Sequence, residues 1–198
     1  PALKETNPHG SQAFPCAFYR LKLSGHGILV KHHWHEEVEI IYFPGGTFTL
    51  DINMETFDVS SECFYFINPG ELHSISVEKN GGCVENAVVF HMDMLSSAYA
   101  LDQIQTNLIQ PVQNGSIQFP RCLRKNEPAF EPVRKSYEEI RNVFGGDSFR
   151  ENYYDGEAVT DDITRQLFIK SALLRILAVL SANNLFEVTE KNHDHRIE

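Results

Sequence analysis

The side chains best suited to chemistry form a short pattern of histidine and glutamate near the start of the sequence. His33 and His35 are two residues apart, and Glu39 has the same parity. On a β-strand all three side chains would therefore point to one face. Two apolar residues continue that face, Ile41 and Phe43. We predict that this face looks into the interior of the fold.

A third histidine, His73, follows the turn signal of Pro69 and Gly70. Three imidazoles and one carboxylate converging in the fold would make a site for a divalent first-row transition metal such as Zn, Ni, Fe or Mn, with open coordination positions. The predicted ligands are His33, His35, Glu39 and His73. The alternative is a hydrogen-bonded network that lines a pocket without metal, because buried polar groups need partners. Both interpretations stay open from the sequence.

Short runs of aliphatic and aromatic residues must position these side chains. Phe48, Leu50 and Ile52 alternate with polar residues, which is typical of a half-buried strand. Turn signals such as Pro44-Gly45-Gly46 separate the runs. Many short strands at even spacing predict a mainly β sandwich or barrel. The predicted strands cover residues 16–23, 27–32, 37–43, 47–52, 57–59, 63–67, 74–78 and 83–90.

The last part of the chain is predicted to be helical. A short helix near residues 95–104 and a strand at 116–123 are predicted before it. Apolar residues from Phe130 to Phe144 recur at steps of three and four and predict an amphipathic helix. A second helix is predicted over residues 161–183, and it is apolar around most of its circumference. One apolar stripe of that helix is predicted to face either its own domain or a partner subunit, and consists of Ile163, Leu167, Leu174 and Leu177.

Charge and composition exclude several classes of function. The formal net charge of −10 opposes binding to DNA phosphates, which normally needs a basic patch. The four cysteines show no CxxC spacing, so neither a zinc ribbon nor a disulfide framework is expected. There is no apolar run long enough to span a membrane and no signal peptide at the start of the sequence, and we expect a cytoplasmic protein. The histidines without ligand spacing are predicted to be surface or turn residues: His9, His26, His32, His91, His193 and His195.

The histidine pattern resembles a known motif. The string Gly27-x5-His33-x-His35-x3-Glu39-x6-Gly46 is similar to the first motif of the cupin superfamily at every spacing. Pro69-Gly70-x2-His73 resembles the second motif, although its proline is displaced by one position. Two further residues depart from that second motif, Glu62 and Val77. The resemblance implies a cupin fold, which is a double-stranded β-helix or jelly-roll barrel, here followed by two C-terminal α-helices.

Within the cupins, the strings HHWHEEVEIIYFPGGTFTLDI and FYFINPGELHSI look like the sensor domain of AraC-type transcription regulators. The resemblance implies an N-terminal arm (1–15), a barrel (16–124) and a helical dimerisation segment (125–198). In that family a helix-turn-helix DNA-binding domain follows, and we expect it to lie beyond this sequence.

The resemblance favours a sensor that binds a small-molecule effector and forms a homodimer through its C-terminal helix. Such a protein would reach DNA only through the absent domain. The alternative is a metal-dependent cupin enzyme, a dioxygenase or an isomerase. The residues expected to contact the effector are His33, His35, Glu39, Ile41, Phe43 and His73.

Overall fold

The computed structural model of the protein describes residues 3–146, 159 and 161–189. Most of the described chain before residue 125 is β-structure. The strands are β1 (Cys16–His33), β2 (Val38–Phe43), β3 (Gly46–Ile52), β4 (Glu55–Val59), β5 (Cys63–Ile67), β6 (His73–Phe90), β7 (Ile117–Gln118), β8 (Cys122–Arg124) and β9 (Glu187–Val188).

Two long antiparallel strands, β1 and β6, form the frame of the barrel. The strand order of the main sheet is β4-β3-β6-β2-β5-β8, and β1 pairs with β6 along nearly its whole length. One half of β6 pairs with β3 and the other half pairs with β2. Strands β7 and β9 form a separate two-stranded ribbon. The predicted mainly β barrel followed by helices is confirmed.

The side chains of the barrel strands divide between two cores. On β2, Ile41 and Phe43 point into the barrel and pack in its apolar interior. Val38 and Ile40 have the opposite parity and join the second core, between the barrel wall and the helices. Tyr42 packs against this second core too, as its parity predicts. The period of two along the strand therefore separates a barrel interior from a helix-facing exterior.

Within the described residues, three α-helices accompany the barrel: α1 (Gln110–Gln113), α2 (Phe130–Val143) and α3 (Ile163–Ala182). Both predicted long helices are present. Helix α2 presents its apolar face to the barrel, where the buried Tyr137 donates its hydroxyl proton to the Asn86 carbonyl at 2.5 Å. Helix α3 begins after Asp162, whose carboxylate caps it by accepting a hydrogen bond from the Arg165 amide at 3.0 Å.

Several predicted boundaries are wrong. The two predicted strands of 16–23 and 27–32 are one strand, since register shifts around Gly25 and Gly27 bend it without ending it. Likewise, 74–78 and 83–90 are parts of β6, and the predicted strand at 116–123 is split into β7 and β8. The predicted helix at 95–104 is displaced. Asp102 accepts hydrogen bonds from the Ile104 and Gln105 amides and acts as an N-cap, so helical turns begin after it.

Neither a disulfide bond nor a membrane-spanning helix occurs among the described residues. All four cysteines are free thiols. Among the described residues, no helix has the length and apolarity that crossing a membrane requires.

Candidate functional site

Four of the side chains singled out in the sequence meet at one end of the barrel. His33 ends β1, Glu39 lies on β2 and His73 begins β6, while His35 follows β1. The imidazole ring centroids of His33 and His73 are 4.2 Å apart, and those of His35 and His73 are 5.3 Å apart. The three histidines can place ring nitrogens within 4.8 Å of one another. The spacing in the sequence therefore predicts this convergence correctly.

The three imidazoles are held in the same way. In each, Nδ1 lies within hydrogen-bond distance of a backbone carbonyl two residues away, at 2.8 Å for His33, 3.2 Å for His35 and 2.9 Å for His73. A carbonyl oxygen only accepts hydrogen bonds, so Nδ1 carries the proton in all three rings. A neutral ring with its proton on Nδ1 has its lone pair on Nε2. The accepting carbonyls belong to Lys31, Glu37 and Glu71.

Two of these Nε2 atoms face the same carboxylate oxygen. Glu39 Oε2 lies 3.2 Å from His35 Nε2 and 3.2 Å from His73 Nε2. Burial raises the pKa of Glu39, but the two imidazoles outweigh it and hold that pKa well below its usual range. Burial lowers the pKa values of His35 and His73. The Glu39 carboxylate raises them by more, so both pKa values lie above their usual value. Lone pairs cannot bond to a carboxylate, so positive charge is required between them, either as protons or as a metal ion.

The donor set fits a first-row transition metal ion. Imidazole nitrogen and carboxylate oxygen are ligands such ions take, and metal-binding histidines usually donate their other ring proton to a carbonyl or carboxylate. His73 Nε2 is buried and has no partner in hydrogen-bond geometry among the described residues, even though Glu39 is near. His33, His35, His73 and Glu39 are the residues that would hold the ion.

The N-terminal segment adds two side chains that the sequence did not point to. His9, predicted to be a surface or turn residue, is 6% exposed, and its ring centroid lies 5.0 Å from that of His35. That prediction is wrong. Glu5 Oε2 lies 3.5 Å from His9 Nε2 and 3.5 Å from His33 Nε2. Neither residue shows ligand spacing with the barrel histidines, so only the tertiary fold reveals the contact. Among the other histidines, His26 and His32 are exposed, whereas His193 and His195 lie outside the described residues.

A cavity of about 170 Å³ lies beside the histidine cluster, between the N-terminal segment, β1, β2 and β6. Its apolar wall is made of Leu21, Val30, Ala87 and Val89. Its polar wall is made of Glu5, His9, Tyr19, His33, His35, Glu39 and Glu85. Ile41 and Phe43 are not among these lining residues, because they are fully buried farther into the apolar interior.

Glu85 is the least expected member of the polar wall. It is 6% exposed, and its Oε2 atom has no hydrogen-bond partner among the described residues. Burial, with the nearby negative charge of Glu39, raises the pKa of Glu85 to about 8. A carboxyl group of this kind is largely neutral at pH 7 and can donate a hydrogen bond. Glu85 sits on β6 with cavity-facing parity, but a lone glutamate in a strand gave no signal in the sequence.

A partly buried ion pair between Arg121 and Glu71 stabilises the loop before His73. Arg121 binds Glu71 with two parallel hydrogen bonds, at 2.7 Å to Oε2 and 2.5 Å to Oε1. The same arginine donates to the Phe66 carbonyl at 3.0 Å, while Glu71 Oε2 also accepts from the Asn68 amide at 2.8 Å. The backbone carbonyl of Glu71 receives the Nδ1 proton of His73. The pair therefore fixes the loop that orients one imidazole of the cluster.

The predicted dimerisation stripe on α3 is only partly available to a partner. Ile163, Leu167 and Leu174 are 66%, 62% and 42% exposed. Leu177 is 3% exposed, because it packs in the core between α3 and the barrel. Phe168, which lies outside the predicted stripe, is 56% exposed. The exposed apolar surface thus lies toward the N-terminal half of α3.

The barrel with its polar cavity places the protein among cupin-type ligand-binding domains. The family model described as the AraC-like ligand binding domain matches residues 15–143, which is more than half of the chain. The chain belongs to this family. The match includes all of β1 to β6, and therefore the strands that build the cavity.

Comparisons with solved structures give distant similarities. A predicted oxalate decarboxylase from Thermotoga maritima is 28% identical over 37% of this chain and 64% of that one, with a TM-score of 0.34. A cupin protein from Bacteroides fragilis is 17% identical, covering 44% and 70%, with a TM-score of 0.35. Oxalate decarboxylase from Bacillus subtilis is 15% identical over 72% of this chain, which spans 33% of that protein's length, with a TM-score of 0.34. None of the curated proteins compared with the chain matches it.

Proposed function

We propose that this chain is the sensing and dimerising part of an AraC-type transcription regulator. A small-molecule effector binds in the cavity beside the histidine cluster, and its binding changes how the regulator acts on DNA. The observation that carries the proposal is the family match over residues 15–143, since that range contains all the strands that line the cavity. The net charge of −10 supports assigning DNA contact to a helix-turn-helix domain outside this sequence.

The size and lining of the cavity limit the effector. A volume of about 170 Å³ is close to the roughly 150 Å³ that accommodates a benzene-sized molecule. The effector meets aliphatic side chains on one side and imidazoles with carboxyl groups on the other. In this proposal the neutral carboxyl group of Glu85 donates a hydrogen bond to an acceptor on the effector. Small sugars, small organic acids and single-ring aromatic compounds all meet these requirements.

Narrowing the cavity tests the sensing role. Val30 lines the cavity, and Val30→Trp is expected to weaken binding of any hit from a panel of monosaccharides, small carboxylic acids and single-ring aromatic compounds by roughly tenfold or more. Isothermal titration calorimetry measures the affinity. The matched control is Ile28→Trp, because Ile28 is on the same strand, is 60% exposed and does not line the cavity.

Equal affinity in both tryptophan variants would place the binding site elsewhere. A panel without any hit, tested on folded protein loaded with a transition metal ion, would favour the enzyme over the sensor.

The histidine cluster is proposed as a site for a divalent ion such as Zn, Ni, Fe or Mn. The three Nδ1–carbonyl hydrogen bonds support this proposal, because they leave Nε2 lone pairs facing a carboxylate. Elemental analysis of the purified chain is expected to find about one transition ion per chain. His33→Ala and His73→Ala are both expected to lose it, whereas His32→Ala keeps it, since His32 is exposed and outside the cluster. A wild-type protein free of metal would leave these residues as a protonated pocket lining.

The second candidate is a metal-dependent cupin enzyme, a dioxygenase or an isomerase. The three imidazoles, with the Glu39 carboxylate beside His35 and His73, support it, because that set leaves coordination positions for oxygen or substrate. Turnover of an oxidisable substrate by the metal-loaded protein, lost in His73→Ala, would favour this reading over the sensor. The fold alone does not decide between the two, because barrels of this type host many functions.

The exposed apolar surface of α3 is the proposed homodimer interface. Ile163, Leu167 and Leu174 lie on one side of the helix and would bury against the same residues of a second copy. Leu167→Glu combined with Leu174→Glu is expected to convert the dimer to a monomer, because each subunit would have to bury charge. Sedimentation equilibrium measures the mass. Leu101→Glu is the control, since Leu101 is 75% exposed outside α3. An unchanged dimer in the double variant would exclude this surface.

A further inference from the structure

The N-terminal segment is fastened to the barrel directly beside the histidine cluster. The Glu5 amide donates to the Trp34 carbonyl at 2.9 Å, and the Trp34 amide donates to the Leu3 carbonyl at 3.0 Å. Lys4 lies over the Trp34 ring at 5.1 Å and forms an ion pair with Glu36 at 2.5 Å. Trp34 separates His33 from His35 in the sequence, so this attachment sets the segment against both histidines. Residues 3–11, which belong to the predicted N-terminal arm (1–15), are called the arm below.

This backbone pairing brings a carboxylate of the arm to the edge of the cluster. Glu5 Oε2 lies 3.5 Å from His33 Nε2, and Glu39 Oε2 lies 3.2 Å from the Nε2 atoms of His35 and His73. Neighbouring ligand atoms around an ion bound at about 2.1 Å are about 3 Å apart in octahedral geometry. The Glu5 carboxylate lies near this spacing from His33, so it approaches the cluster from the His33 side.

His9 holds that carboxylate from the other side. Its Nε2 atom lies 3.5 Å from the same Glu5 oxygen, and its Nδ1 atom lies 2.8 Å from the Tyr19 hydroxyl. His9 is buried, and its Nε2 atom has no hydrogen-bond partner in the described part of the chain. The arm thus presents Glu5 between two imidazoles, one on the arm and one on the barrel.

A second grouping of possible ligands, His9, His35 and Glu37, shares His35 with the first. A neutral imidazole has only one lone pair, so His35 cannot serve both groups. Its Nδ1 atom is hydrogen-bonded to the Glu37 carbonyl at 3.2 Å, which leaves Nε2 on the side of Glu39. The observed hydrogen bonding therefore favours a single ion in the group that contains His33 and His73.

We propose that Glu5 is an additional ligand of the metal ion in the histidine cluster, so that metal binding and closure of the arm over the cavity are coupled. The proposal rests on the metal site proposed above. Because Glu5 and His9 also line the cavity, the ion then controls whether the cavity is covered. An arm held by metal and an arm held only by its backbone hydrogen bonds differ in how often they open.

Hydrogen exchange of the arm tests this coupling with Zn²⁺ as the probe. In the wild-type chain, Zn²⁺ is expected to slow exchange of the Glu5 and Trp34 amides by roughly tenfold, because both are engaged only when the arm is closed. In Glu5→Gln the ion still binds the four barrel ligands, with affinity reduced by roughly tenfold. The slowing of exchange by saturating Zn²⁺ is expected to disappear in this variant.

Glu36→Gln provides the matched control. It makes the same chemical change and also loosens an arm contact, the Lys4 ion pair, but Glu36 is exposed and outside the cluster. Zn²⁺ is expected to slow arm exchange in Glu36→Gln as in the wild type. Slowing that persists in Glu5→Gln would overturn the proposal and leave the metal site standing. Failure of Zn²⁺ to bind the wild-type chain would overturn both the metal site and the role of Glu5 as its ligand. The cavity test with Val30→Trp would still report on effector sensing.

Discussion

Replacing Glu85 with glutamine is expected to raise the free energy of unfolding, by an amount that grows with pH. Burial and Glu39 raise the pKa of Glu85 to about 8 in the folded protein. Between about pH 5 and pH 8 the unfolded chain has lost this proton and the folded chain keeps it, so wild-type stability falls as pH rises. One proton corresponds to about 1.4 kcal/mol per pH unit. Glutamine has no proton to lose.

Urea unfolding of the metal-free proteins across this pH range measures the effect. Near the acid end both side chains are neutral, and the two proteins are expected to be similarly stable. Glu131→Gln is the control, because Glu131 has a side chain that is 60% exposed and pairs only at the surface. The difference in free energy of unfolding between Glu131→Gln and the wild type is expected not to grow with pH. A pH-independent difference for Glu85→Gln would mean that Glu85 is ionised in the fold.

Removing the charge of Arg121 is expected to lower both the free energy of unfolding and the affinity for a transition metal. Arg121→Leu leaves the Glu71 carboxylate, with a side chain only 7% exposed, without its bidentate partner. Breaking a buried ion pair from one side costs about 3 kcal/mol, since the remaining charge stays desolvated. Because Glu71 also orients His73, the same variant is expected to bind a transition metal more weakly. Chemical denaturation and metal titration measure the two effects.

The control for this prediction is Arg124→Leu. Arg124 lies on β8, three residues further along, and is exposed. Its replacement is expected to change the free energy of unfolding by no more than about 0.5 kcal/mol. If both leucine variants were equally stable, the Arg121–Glu71 pair would not contribute to the loop that holds His73.

The sequence was most informative where the periodicity of a strand determines side-chain direction. Parity alone places His33, His35 and Glu39 on one face, and the structure brings these side chains together. Parity does not say how far into the barrel a side chain sits. Ile41 shares the face but packs below the cavity, where neighbouring strands fill the interior.

Contacts between segments distant in the chain were not predictable in this way. His9 and Glu5 belong to a segment without periodic pattern, and their position depends on backbone pairing with Trp34. Leu177 shows another limit. The wide apolar arc of α3 has no polar boundary to mark which part is covered, and only the packing of α2 and the barrel against it decides this.

Strand β6 contacts both the cavity and the helical layer. Glu85 and Ala87 face the cavity, and Asn86 between them accepts the hydrogen bond from Tyr137 on α2. The distance between adjacent Cα atoms is fixed at about 3.8 Å. A displacement of Glu85 or Ala87 would therefore also displace the Asn86 carbonyl that lies between them. One side of this strand therefore lines the cavity, while its backbone holds the helical layer through Tyr137.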